Sequence, residues 1–235
     1  MPGAENLRLS FRRKPESKTW IPDRPSAFRN DKEFMQIKAI IFDMGNVLLN
    51  YDALKAARRF SKVCGAPFSK IWAHFFISPT EKAYTRGEIS SYEFYRHAKK
   101  ALHLPIPYKT FCRTWNDIFW ENRGMESLLV RLKRRYPLYL ISNTNKMHFD
   151  HIRKKFKILK HFTKTFPSHE VGCRKPEPKI YRKVIRSIKL RADQTVFIDD
   201  MPKFVEGAKK VGMHAICFKN KEQMIRSLTQ LGVQV

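Results

Sequence analysis

The chain has 235 residues, of which 43% are hydrophobic and 13% aromatic, and its formal net charge is +26. This length and composition exclude the disordered and collagenous classes, and they allow one sizeable core with a smaller inserted domain beside it. No apolar run reaches the roughly 18 residues needed to cross a bilayer, and the N-terminus lacks the apolar block of a secretory signal. We therefore expect a cytoplasmic protein with no membrane partner.

The first 34 residues carry prolines at positions 2, 15, 22 and 25 and show neither a strand nor a helix period. We interpret residues 1–34 as a flexible basic leader. An Arg-containing organelle-targeting peptide is the alternative, and Glu5 and Glu16 argue against it.

Short apolar runs then alternate with helical patterns. The strand-like runs lie at residues 37–42, 138–141, 195–198 and 214–218. The helical patterns lie at residues 125–135, 147–156, 178–188, 203–211 and 221–231. This alternation predicts an α/β domain with a doubly wound, Rossmann-like parallel sheet, formed by residues 35–51 and 123–235.

Residues 52–122 interrupt the alternation, because they are rich in aromatic side chains at helical spacing and contain no convincing strand. We predict an inserted all-helical cap domain here. An aromatic stripe of this kind is typical of packing, so it identifies no ligand-binding residue.

Polar residues follow the predicted strands at the edge of the sheet where ligands bind in open α/β folds. Asp43 follows the first strand, Ser142 the second, and Asp199 and Asp200 the third. Taken singly, Asp43 and Ser142 could be helix caps or turn residues, and Lys175 a surface lysine. The adjacent acids are harder to explain without a cation, and oxygen ligands of this kind suit Mg²⁺.

Four segments together resemble the ordered motifs of haloacid dehalogenase-like hydrolases. They are FDMGNVLL at residues 42–49, LISNTN at 140–145, GCRKPEP at 172–178 and VFIDDM at 196–201. The form of the first motif and RGEIS at residues 86–90 look most like the branch containing bacterial α-glucose-1-phosphate phosphatase. The resemblance implies a Mg²⁺-dependent phosphatase acting on a small phosphorylated substrate such as a sugar phosphate.

The resemblance also implies roles for particular residues. Asp43 would be the nucleophile that forms an aspartyl-phosphate, and Lys175 would neutralise developing charge. Ser142, Asn143 and the backbone after Ser142 would hold phosphate oxygens, together with Lys175. The implied metal ligands are Asp43, the backbone carbonyl of Gly45 and Asp200. Asp199 would be either a further ligand or a hydrogen-bond acceptor beside Asp200.

Gly45 departs from the common phosphatase pattern, in which a second aspartate two positions after the nucleophile acts as general acid and base. Such catalysis contributes about 10² to 10⁴ in rate. A substitute for this general acid and base could come from Asp52, from the insert or from metal-bound water, and the sequence does not decide among them.

Two alternatives remain open at this point. One is a dehalogenase or phosphonate-cleaving enzyme on the same scaffold. The other is a non-catalytic protein of this fold that binds nucleic acid. The net charge of +26 would attract nucleic acid, and since the sequence contains no nucleic-acid-binding motif, that binding would be non-specific. The sequence allows a monomer or a homodimer. The basic residues also recur at helical spacing, as solvated helix faces do.

Overall fold

The computed structural model describes residues 36–235, and the predicted leader at residues 1–34 lies outside the described residues. The strands are β1 Ala39–Phe42, β2 Leu49–Tyr51, β3 Phe119–Glu121, β4 Leu138–Ser142, β5 Lys164–Pro167, β6 Thr195–Asp199 and β7 His214–Cys217. The helices are α1 Ala53–Cys64, α2 Phe68–Trp72, α3 Pro79–Thr85, α4 Ser91–Leu102, α5 Tyr108–Asn116, α6 Met125–Leu132, α7 Lys146–Lys155, α8 Ser168–Val171, α9 Pro178–Ile188, α10 Pro202–Lys209 and α11 Lys221–Gln230.

Five strands form one parallel sheet in the order β5, β4, β1, β6, β7. Every residue of β1 is buried, because helices cover both faces of the sheet. Ile40 and Phe42 pack on one face with side chains of α6, α7 and α11. Ala39 and Ile41 pack on the other face with α9 and α10. The predicted doubly wound α/β fold is therefore confirmed.

The sequence analysis did not predict β5, which pairs with β4 at an edge of the sheet. Its four residues begin with the exposed Lys164 and end at Pro167. An edge strand has one unpaired side, so it tolerates proline and does not need a continuous apolar run. This is why it lacks the pattern that identified the central strands.

The cap helices, α1 to α5, lie between β2 and β3 in the chain and have an aromatic core of their own. The ring of Phe60 lies 4.9 Å from that of Phe75 and 5.1 Å from that of Phe111, measured between ring centroids. Residues 73–77 form a single π-helical turn between α2 and α3. The aromatic stripe is packing, as the sequence analysis predicted, although part of it also faces a cavity described below.

A short ribbon joins the cap helices to the sheet domain. In it β2 pairs antiparallel with β3, with Leu49 opposite Glu121 and Tyr51 opposite Phe119. The strand β3 was not expected within residues 52–122, because three residues are too few to show a period. The division of the chain at residues 51 and 122 stays a prediction.

Residues 86–90, part of the resemblance to the phosphatase branch, connect α3 to α4. Ser90 and Glu93 form a reciprocal capping box at the start of α4. Gly87 has a φ of +75°, and a Cβ there would lie 2.0 Å from the backbone oxygen of His169. Arg86 forms an ion pair with Glu177 at 2.7 Å. The motif therefore terminates one cap helix, starts the next and contacts the sheet domain.

Basic side chains at residues 133–135, 153–155 and 186 are exposed, in agreement with the interpretation of solvated helix faces.

Within residues 36–235, none of the helices combines the length and the apolar character that a membrane span requires.

A buried serine connects the cap helices to the sheet domain. Ser168 is fully buried, and its hydroxyl lies 2.6 Å from the carbonyl oxygen of Thr85, in α3. The hydroxyl oxygen of Ser168 also accepts a hydrogen bond from the backbone N–H of Thr144 at 3.0 Å. The carbonyl of Thr85 and the N–H of Thr144 are thus both paired with one buried hydroxyl, as buried backbone groups need to be.

We expect Ser168→Ala to lower the free energy of unfolding by about 1–3 kcal/mol, since it leaves the buried Thr144 N–H unpaired. Urea unfolding followed by circular dichroism measures this. The control is Ser127→Ala, which removes an exposed serine hydroxyl on α6 and should stay within about 0.5 kcal/mol of wild type. Equal effects of the two substitutions would contradict the role of Ser168.

Candidate active site

The sequence-predicted site residues meet at the carboxyl ends of the three central strands. Asp43 directly follows β1, Ser142 is the last residue of β4, and Asp199 is the last residue of β6. Since β1 lies between β4 and β6, these ends are adjacent. Lys175 reaches the same place from the loop that precedes α9.

Lys175 forms two buried ion pairs there. Its Nζ lies 2.7 Å from Oδ1 of Asp43 and 2.5 Å from Oδ2 of Asp199. The side chain of Lys175 is only 1% exposed. Charges removed from water in this way are stable only when their geometry is good and further hydrogen bonds satisfy them.

Asn143 fixes the backbone of Lys175. Its side-chain oxygen accepts from the Lys175 N–H at 2.8 Å, and its side-chain nitrogen donates to the Lys175 carbonyl at 2.9 Å. The sequence analysis assigned Asn143 to phosphate binding and did not predict this contact. The signal available in the sequence was an amide next to Ser142 at a strand end, which does not specify a partner.

Burial and charge shift the pKa values of this cluster. Burial raises the pKa of Asp43 and raises that of Asp199 to about 7, although Lys175 acts in the opposite direction on both. Burial alone would lower the pKa of Lys175, but the two carboxylates outweigh it and raise that pKa. Burial is thus the largest influence on the pKa of both carboxyl groups, and it favours their neutral forms.

The two adjacent aspartates differ in their contacts. Asp199 is fully buried, and its two oxygens accept from Lys175 and from the backbone N–H of Met201 at 2.8 Å. Asp200 accepts from the side-chain amide of Asn46 at 3.1 Å through Oδ2. The sequence analysis missed Asn46, which has a φ of +55°, a left-handed conformation that asparagine tolerates in turns.

These carboxylates fit a divalent cation. Asp43, Asp199 and Asp200 each offer an oxygen, and the three oxygens lie within 4.8 Å of one another. Hard oxygen donors are the ligands that Mg²⁺ prefers. Asp200 keeps an oxygen without a protein contact in the described structure, whereas both oxygens of Asp199 are engaged.

A cavity of about 310 Å³ extends from these residues to the cap helices. Asp43, Ser142, Lys175 and Asp200 line the end at the sheet. The lining from the cap helices is largely aromatic, with Phe75, Phe76, Tyr84, Phe94 and Trp115 beside the smaller contributions of Ala53, Glu81 and Thr85. The cavity thus has a charged end and an apolar wall.

Two further polar side chains of the lining were not predicted. Glu81 of α3 pairs with Arg174 at 3.0 Å, next to Lys175 in the chain. His148 of α7 stacks on Trp115 with the ring centroids 4.8 Å apart. Burial lowers the pKa of His148 to about 3, so its imidazole is neutral at pH 7. The sequence offered no motif for either residue.

Asp52, considered as a substitute acid, caps α1 by accepting from the backbone N–H of Lys55 at 3.1 Å. It does not belong to the cavity lining among the described residues. Its carboxylate therefore has a structural function as a helix cap.

The missing side chain at Gly45 is explained by Tyr51. A Cβ built at position 45 would lie 2.9 Å from Cε1 of Tyr51 and 3.3 Å from Cδ1. The tyrosine ring thus occupies the space into which a side chain at position 45 would project. An aspartate here would require the ring to move.

We expect Gly45→Ala to reduce the free energy of unfolding by about 1 kcal/mol or more, the lower range for overpacking. In a Tyr51→Ala background the same substitution should cost less than half as much. A double-mutant cycle of urea unfolding measures this coupling. Additive effects would show that Tyr51 does not restrict position 45.

The fold and this site together are those of a hydrolase with a doubly wound α/β core and a carboxylate, that of Asp43, at the end of its central strand. Residues 40–218 match the haloacid dehalogenase-like hydrolase family, and the chain belongs to that family.

Two fungal relatives align with most of the chain. Drimenol cyclase drtB of Aspergillus calidoustus is 28% identical over 214 residues, which are 83% of this chain and 36% of that protein. The chain thus spans about a third of the length of that relative. Sesquiterpene phosphatase astK of Aspergillus oryzae is 28% identical over 197 residues, covering 83% of this chain and 96% of the relative.

A solved structure has the same fold. It is a HAD family enzyme of Bacteroides thetaiotaomicron in complex with magnesium and inorganic phosphate, with a TM-score of 0.72 and 28% identity. The similarity covers 78% of this chain and 94% of that chain.

Proposed function

We propose that the protein is a Mg²⁺-dependent phosphoric monoester hydrolase that acts on a small phosphorylated metabolite through an aspartyl-phosphate on Asp43. The observation that carries this proposal is the buried contact of Lys175 with both Asp43 and Asp199. The relative named as a sesquiterpene phosphatase supports it, as does the magnesium and phosphate complex of the structural neighbour.

In this proposal Asp43 attacks phosphorus. Lys175 holds Oδ1 of Asp43, which leaves Oδ2 to form a bond to phosphorus while the ester P–O bond breaks. The electron pair of that bond stays on the departing oxygen, which becomes the alcohol after it takes up a proton. Water then attacks the phosphorus of the aspartyl-phosphate while the P–O bond to Asp43 breaks, so that inorganic phosphate is released and the Asp43 carboxylate is regenerated.

The phosphate oxygens would lie against the end of β4 and the ammonium of Lys175. Ser142 and Lys175 both line the cavity beside Asp43. Asn143 would contribute through its main chain, because its side-chain amide holds Lys175. Preorganised donors of this kind stabilise charge that develops in the transition state, and loss of one costs roughly 3–4 kcal/mol of barrier.

Asp43, Asp200 and the carbonyl of Gly45 would hold Mg²⁺, and Asp199 would act by positioning Lys175. Bound Mg²⁺ would neutralise negative charge on the phosphate group and on Asp43. The carboxylate cluster fits this ion because its oxygens converge and the single ammonium leaves part of the negative charge uncompensated.

Asp43→Asn should reduce phosphate release by about 10³-fold or more, because an amide is a poor nucleophile. The fold should be retained, since Asn preserves the shape of the side chain and Lys175 keeps its pair with Asp199, although loss of one buried pair lowers the melting temperature. Release is measured with a generic aryl phosphate and Mg²⁺. Asp150→Asn, which removes a carboxylate outside the cavity, is the matched control and should retain full activity. Undiminished release in Asp43→Asn would refute the mechanism.

Mg²⁺ binding is tested separately through stability. Mg²⁺ at about a hundred times its Kd should stabilise the wild-type chain by roughly 2.7 kcal/mol, read as a rise in melting temperature. Asp200→Asn should lose most of this rise. Asp199→Asn should retain most of it, although the variant is less stable without metal because it breaks a buried pair. If Asp199→Asn lost the rise and Asp200→Asn kept it, the assignment of the ligand would be wrong.

A further inference from the structure

The part of the cavity formed by the cap helices has a rigid aromatic wall. Trp115 is its centre, and its ring centroid lies 4.9 Å from that of Phe75, 5.5 Å from that of Phe94 and 5.7 Å from that of Phe76. Phe75 and Phe94 are fully buried and Trp115 is 3% exposed. Rings packed this closely change position little when a ligand enters.

Most polar atoms that the cap helices contribute to this wall already have partners. The hydroxyl of Tyr84 lies 2.8 Å from that of Ser91 and accepts from the backbone N–H of Met147 at 3.1 Å. The hydroxyl of Thr85 donates to the carbonyl of Glu81 at 2.9 Å. The carboxylate of Glu81 is paired with Arg174 at 3.0 Å.

The two nitrogen-bearing rings of the wall add little. Nδ1 of His148 lies 3.1 Å from the side-chain oxygen of Asn116, so that nitrogen is engaged. Nε1 of Trp115 is buried and has no hydrogen-bond partner within the described residues. A polyhydroxylated group would therefore place several hydroxyls against carbon on the side of the cap helices, where few donors or acceptors are unpaired, whereas Asn145 and Arg174 offer further donors only from the sheet domain. Burial of hydroxyls without partners is unfavourable, whereas burial of hydrocarbon is favourable.

We infer that the substrate is the phosphate monoester of an apolar alcohol, whose hydrocarbon group packs against this aromatic wall while its phosphate meets Asp43 and Lys175. The inference rests on the proposed phosphatase function and specifies its substrate class. A cavity of about 310 Å³ is at the small end of ligand sites, which run from roughly 300 to 1,000 Å³. It suits a compact cyclic or branched hydrocarbon group.

The test compares four esters of primary alcohols, so that the basicity of the leaving oxygen is similar. Benzyl phosphate and cyclohexylmethyl phosphate are the apolar probes, and glucose 6-phosphate and ribitol 5-phosphate are the polar ones. With Mg²⁺ present, kcat/KM for the apolar esters should exceed that for the polar esters by about 10-fold or more. Equal or faster turnover of the polar esters would overturn the inference and leave the phosphatase proposal standing.

A pair of neighbouring substitutions tests the wall itself. Phe76 is half-buried and lines the cavity, whereas Ile77, in the same π-helical turn, is 60% exposed and lies outside this lining. Phe76→Ser should lower kcat/KM for benzyl phosphate by about 10-fold and affect the polar esters less. Ile77→Ser should leave all four values at the wild-type level. A uniform loss across the four esters in Phe76→Ser would contradict a specific apolar contact.

Direct binding separates this inference from the proposed function. Calorimetry on Asp43→Asn should show benzyl phosphate binding about 10-fold or more tightly than glucose 6-phosphate. Absence of release from every ester and from an activated aryl phosphate would overturn the phosphatase proposal, while the preference in binding would still uphold the apolar class. Equal or weaker binding of benzyl phosphate would overturn the class.

Discussion

The ammonium of Lys175 is the contact on which the rest of the site depends. It is buried between Asp43 and Asp199, which follow or end two neighbouring parallel strands, and its own backbone is held by Asn143 at the end of a third. A buried charge without partners is strongly unfavourable, so this lysine is stable only while all three strands keep their register. A change in the register of these strands would therefore also change the geometry of the site.

The cap helices and the sheet domain contribute different chemistry to one cavity. Charged groups from strand ends form one end, and packed rings from the cap helices form the wall. Two ion pairs join the two parts, the more exposed one between Arg86 and Glu177 and a largely buried one between Arg174 and Glu81. An exposed pair contributes about 0–1 kcal/mol. The fully buried hydroxyl of Ser168 is a further connection between the two parts. A phosphate group and its alcohol would accordingly be recognised by separate parts of the chain.

The loop after β1 combines two constraints within a few residues. Tyr51, on the short ribbon, fills the space next to Gly45, while Asn46 turns in a left-handed conformation and donates to Asp200. The usual position of a second catalytic aspartate is therefore closed by an aromatic ring. The loop instead holds the carboxylate of Asp200 through the side-chain amide of Asn46.

The sequence by itself determined the layers of the fold and placed Asp43, Ser142, Asp199 and Asp200 at the ends of its strands. The central strands are continuous apolar runs because both of their faces are covered, and the polar residues that follow them are conspicuous for that reason. The edge strand Lys164–Pro167 and the short pairing of β2 with β3 lack such a signal, since few of their residues are buried on both sides. Tertiary structure alone decided that Asn143 supports Lys175, that Asp199 and Asp200 have different contacts, and that Tyr51 closes position 45. These depend on distances in space that the sequence does not specify. Tertiary structure also decided which members of the aromatic stripe face a cavity, because a helical period specifies an apolar face and not what lies opposite it.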